Sequence, residues 1–84
     1  MDDMARREDI DRAAAFALSG EWDKAHEIAQ LDESDPLGCW LHACLHKIEG
    51  DAGNSRYWYL RAGRTYEDFA DSTDELRAIK AACR

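Results

Sequence analysis

The chain has 84 residues, a formal net charge of −7 and a charged fraction of 35%. A domain of this size hides roughly 60% of the surface its unfolded chain exposes, so one modest core is expected in a single domain over residues 1–84. The acidity argues against general nucleic-acid binding by counterion release and against an anionic membrane surface. The longest apolar run, 13–18, is far too short to span a bilayer.

The N-terminus MDDMARRED shows no signal-peptide apolar segment. From about residue 5 to 18 an alanine-rich helix is expected, with Ile10, Ala13, Ala14, Ala17 and Leu18 as its apolar stripe, and Ser19-Gly20 ends it. A surface helix over 21–32 follows, burying Trp22, Ala25, Ile28 and Ala29. The next stretch, DPLGCWLHACLHKIEG over 35–50, has only Lys47 and Glu49 as charges after its first residue, and a helix this apolar is expected to be central. Asp35 before Pro36 reads as an N-cap, and Gly50 as a left-handed stop. Gly50-Asp51 then reverses the chain into a helix over 52–65, in which Tyr57-Trp58-Tyr59-Leu60 points rings in several directions.

After an acidic segment, Ser72-Thr73-Asp74-Glu75 reads as a capping box for a last helix over 73–83. That helix would turn Leu76, Ile79 and Cys83 inward and end on Lys80 and Arg84. The expected fold is therefore all-α: two antiparallel helical hairpins, about 5–32 and 36–65, and a C-terminal capping helix, five helices in all. Three cysteines are an odd number, and Cys39 and Cys44 share one helix five residues apart, so a disulfide framework is not expected. Reduced, mostly buried thiols and a cytoplasmic location are.

Shifting the chain by thirty residues superposes Ala13 on Ala43, Phe16 on His46, Gly20 on Gly50, Glu21 on Asp51 and Ala25 on Ser55. Ala13, Phe16, Gly20, Trp22 and Ala25, with Pro36 beyond, resemble the small, aromatic and turn positions of the tetratricopeptide family. Ala43, Gly50, Ser55, Tyr59 and Ala62 repeat them, with His46 and Ala52 departing from the pattern. The string from His42 to Tyr59, HAxLHxxEGDxxNxxYWY, also resembles one in a group of small uncharacterised proteins. The tetratricopeptide resemblance implies binding of a protein or peptide, a second copy of the chain among the candidates.

On the central helix, Cys39, His42, His46 and Glu49 collect opposite the apolar side. Two histidines four apart can converge on one metal ion, with Cys39 or Glu49 as further ligands and His26 as the one spare histidine. The competing expectations are a small-ligand pocket on the same His42, His46 and Glu49 face and, ahead of both binding readings, a polar seam in which Asn54, Tyr57 and Arg61 of the next helix face these residues. Arg61, Arg64 and Trp58 are the candidate contacts to a partner. No cofactor is called for. Cys39 with His42 lacks the third group and open cleft of an activated thiol, so no catalysis is expected.

Overall fold

Helix-forming runs and glycine stops resolve into α1 (Asp3–Leu18), α2 (Trp22–Ala29), α3 (Pro36–Ile48), α4 (Ala52–Ala62) and α5 (Ser72–Ala82), with a single 3-10 turn at Tyr66–Asp68. The computed structural model describes the backbone of residues 3–84 and the side chains of residues 4–84, and no described residue lies in a strand. The fold is all-α. None of the described helices is long and apolar enough to cross a membrane.

The two turns are built alike. Gly20 and Gly50 both sit at φ +83°, a left-handed conformation that costs a residue with a β-carbon roughly 1 kcal/mol or more. Glu21 donates its N–H to Phe16 O at 2.9 Å and Gly20 to Ala17 O at 3.0 Å; thirty residues on, Asp51 donates to His46 O at 2.9 Å and Gly50 to Lys47 O at 3.1 Å. Each is a Schellman terminator. The sequence offset is kept bond for bond, and it places α2 back against α1 and α4 back against α3. Small residues hold the matching close approaches: Ala13, Ala43, Ala25 and Ser55 are all fully buried, and Ser55 Oγ donates to Ala43 O at 2.7 Å across the second hairpin.

Every residue of α3 from 38 to 45 is buried, which makes it the central rod. Asp35 caps it through Gly38 N–H at 3.0 Å. One arginine decides how the first hairpin joins it. Arg6, 4% exposed, donates to Ile28 O at 2.9 Å, Ala29 O at 3.2 Å and Asp32 O at 3.2 Å, and pairs with Asp35 at 3.2 Å. The guanidinium thereby satisfies the last carbonyls of α2, and α2 stops at Ala29 instead of running to residue 32. A β-carbon on Gly38 would lie 2.5 Å from Arg6 Nη2, so any side chain there would have to push the guanidinium away from the carbonyls it serves. The fourth helix is also shorter than expected, because Gly63 at φ +72° terminates it.

The last helix departs most from expectation. Its N-cap is Asp71, which accepts from Thr73 N at 2.7 Å and Asp74 N at 3.1 Å, so the Ser72–Glu75 box does not form. Glu75 instead turns inward at 1% exposure. Its carboxylate accepts from Trp40 Nε1 at 2.9 Å, Lys47 Nζ at 2.9 Å and Tyr59 OH at 2.5 Å. With Leu76 and Ile79 buried beside it, and Lys80 paired to Asp11 at 2.7 Å, α5 packs along α1 and α3. It covers the face where the first helices of the two hairpins lie side by side.

Candidate functional site

Where α2 meets the C-terminal half of α3, three imidazoles converge. His42 and His46 are one turn apart on α3 and stack with ring centroids 5.0 Å apart. His26, from α2, stands edge-on to both at 4.6 and 4.8 Å. Behind them the Trp58 ring of α4 lies flat on His42, 4.0 Å between centroids at 15°. One nitrogen from each histidine falls within 4.8 Å of the others.

Polar satisfaction fails here. The Nδ1 atoms of His42 and His46 are buried and have no hydrogen-bond partner, and leaving such a group unmet costs about 1–3 kcal/mol. At the open edge, Glu49 places its carboxylate 3.4 Å from His26 Nδ1 and 3.7 Å from His46 Nδ1, and Asp51 lies 3.7 Å from His46 Nδ1. Burial, then the neighbouring His26 and His46, push His42 down to about 4. His46 is lowered too, by burial and His26 against the opposite pull of Glu49 and Asp51. At neutral pH these two rings hold free lone pairs, the form in which imidazole binds a metal ion.

The expected ligands divide. His42 and His46 come together with His26, Glu49 reaches the His26 and His46 rings from the rim, and Cys39 stays apart. Its thiol, near the start of α3, donates to Glu33 O at 3.1 Å, and burial raises its pKa against the smaller pull of Arg61. That is the opposite of thiol activation.

The expected seam partners lie elsewhere. Asn54 donates to Asp51 at 2.7 Å on the surface, Tyr57 is 51% exposed, and Arg61 donates to Tyr57 OH at 3.1 Å and Glu33 O at 3.0 Å. The Gly50 turn sets the rotation of α4 so that Ser55 and Tyr59 face inward with Trp58 on their flank, which carries 54, 57 and 61 outward. Trp58, expected as a partner contact, is spent largely on His42. His26 was legible only as a spare histidine; its place beside the buried Ala25 stripe was the available signal.

A second feature lies on the outer side of α4. The backbone of this helix packs against α3 and the 3-10 turn, its inward Tyr59 reaches Glu75 of α5, and its far side leaves Leu60 80% exposed beside Tyr57. Arg56 pairs with Glu67 at 2.6 Å, and the Arg64 guanidinium sits 3.4 Å over the Trp40 ring. Of Arg56, Arg61 and Arg64, Arg56 is the one with an acid partner among the described ion pairs. Comparison with protein-family models, curated proteins and solved structures finds no match to this chain.

Proposed function

We propose that this chain is a small, non-catalytic, tetratricopeptide-like module for protein or peptide interaction, and that it works through the outer side of α4. The observation that carries this reading is an outer helix held from one side, with Leu60 and Tyr57 open to solvent beside Arg61 and no acidic residue between 53 and 65. An apolar centre flanked by an aromatic ring and guanidinium groups is the composition in which interface energy concentrates. In a chain of net charge −7 this strip favours an acidic partner surface. The face between α1 and α3, which a repeat groove would use, is taken by α5, so the outer helix is left as the docking side. The three free cysteines suit a reducing compartment, and a cytoplasmic setting is part of the proposal.

The test compares the full chain with Leu60→Glu and with Arg61→Glu as immobilised baits, alongside light scattering for a homodimer. A protein retained by the native chain, or a dimer, that is lost with both variants supports the reading. Retention indifferent to both, or no association at all, overturns it.

A further inference from the structure

We infer that His26, His42 and His46 form a binding site for one late first-row divalent metal ion, zinc being the reference case, with the Glu49 carboxylate as fourth ligand. The site joins α2 to α3, is separate from the outer side of α4, and stands whether or not that side docks a partner.

Four observations carry it. The ring nitrogens already lie within 4.8 Å of one another. A tetrahedral ion with bonds of roughly 2.0–2.1 Å needs them roughly 3.3–3.4 Å apart, a closure to be made by turning the half-buried His26 and His46 rings toward the buried His42. Second, two of the nitrogens are buried without a partner, and His42 is only 3% exposed. Among the described residues the other buried polar side chains, Arg6, Ser55 and Glu75, all have hydrogen-bond partners, and the Nδ1 atoms of His42 and His46 have none, as in a ligand site. Third, the Glu49 carboxylate stands at the rim, Oε1 3.4 Å from His26 Nδ1 and Oε2 3.7 Å from His46 Nδ1, so an oxygen donor borders the three imidazoles. That donor set suits zinc and its neighbours and is wrong for calcium or magnesium, which take oxygen ligands. Fourth, Trp58 stacked on His42 fixes the orientation of the most buried ring.

The opposing account is a purely packed imidazole cluster, and it predicts no stoichiometric ion. The experiment uses the full, untagged chain after chelation. Zinc is titrated calorimetrically, and cobalt(II) is titrated by absorbance, with calcium and magnesium as controls. One ion per chain is expected. Cobalt should give the intense visible bands of a tetrahedral centre without the near-ultraviolet band of a thiolate ligand. His26→Ala, which changes a half-buried residue on a short outer helix, should weaken zinc by more than the roughly 10–100-fold that loss of an outer-sphere partner costs. Cys39→Ser should leave the affinity unchanged. Absence of stoichiometric zinc in the native chain, a thiolate band with cobalt, or zinc affinity indifferent to His26→Ala would each overturn the assignment. The native cobalt spectrum decides even if a variant misfolds.

Discussion

Two of the buried polar clusters among the described residues, one around Glu75 and one around His42, lie at opposite sides of α3 and are built on opposite principles. Around Glu75, one carboxylate meets three donors from α3 and α4, and Lys47 spends its remaining protons on Tyr66 O at 2.9 Å and Phe69 O at 3.1 Å. Around His42, the His42 and His46 rings stack on one another and their buried Nδ1 atoms have no hydrogen-bond partner. A buried charge survives only when its partners are complete, so the first cluster is a fastening, and it holds α5 over α1 and α3. In the second, the His42 and His46 rings are held neutral, so incompleteness is tolerable there, and that tolerance leaves capacity for a ligand.

The sharpest way to break this contrast is Glu75→Ala. It strands Lys47, whose side chain is 11% exposed, together with the Tyr59 hydroxyl and the Trp40 N–H. A loss of about 3–5 kcal/mol in urea unfolding is expected. A loss under about 1 kcal/mol would mean that α5 is held by Leu76 and Ile79 alone.

Acid should separate the clusters next. Between pH 6.5 and about 4 the unfolded chain protonates His42 while the folded chain keeps it neutral. The unfolded state then binds more protons, so stability is full above pH 6.5 and falls as the pH drops through that window. For metal-free protein the fall should be on the order of 2–3 kcal/mol. His46, lowered in the same sense, adds to it, and His26, Glu49 and Asp51 are the other titratable groups facing the ring. Denaturation at fixed pH values measures it. A flat profile across this window would contradict the buried neutral ring.

The smallest effect belongs to His42→Phe. It keeps a ring against Trp58 and removes an unmet nitrogen, so at pH 7 it should change stability by less than about 1 kcal/mol in either direction, while reducing the acid slope. A large loss at pH 7 would show that His42 carries a structural bond.

Local rules were legible where one residue acts on its own backbone. Gly20 and Gly50 announced their turns, Asp35 with Pro36 announced the start of α3, and the scarcity of charge over 36–48 announced the central rod. The site was legible by half: His42, His46 and Glu49 share a helix face by spacing alone, whereas His26 comes from another helix. Glu75 shows why the rest was hidden. Its position invites a capping box, but burial against Trp40, Tyr59 and Lys47 offers three partners at once and wins. Asn54, Tyr57 and Arg61 were misplaced for a similar reason: a wheel gives which residues share a side, and only packing against α3 fixes which side is turned in.

By itself, then, the sequence determined the helices, the glycine stops at Gly20 and Gly50 and the thirty-residue echo between hairpins, because propensity, caps and left-handed glycines act within a few bonds. Tertiary structure alone decided that Arg6 closes α2, that α5 lies over α1 and α3, and that His26 completes the histidine cluster. Each of these joins groups at least twenty residues apart or on different helices, and such contacts are selected by the free energy of burying charge and surface together rather than by any local preference.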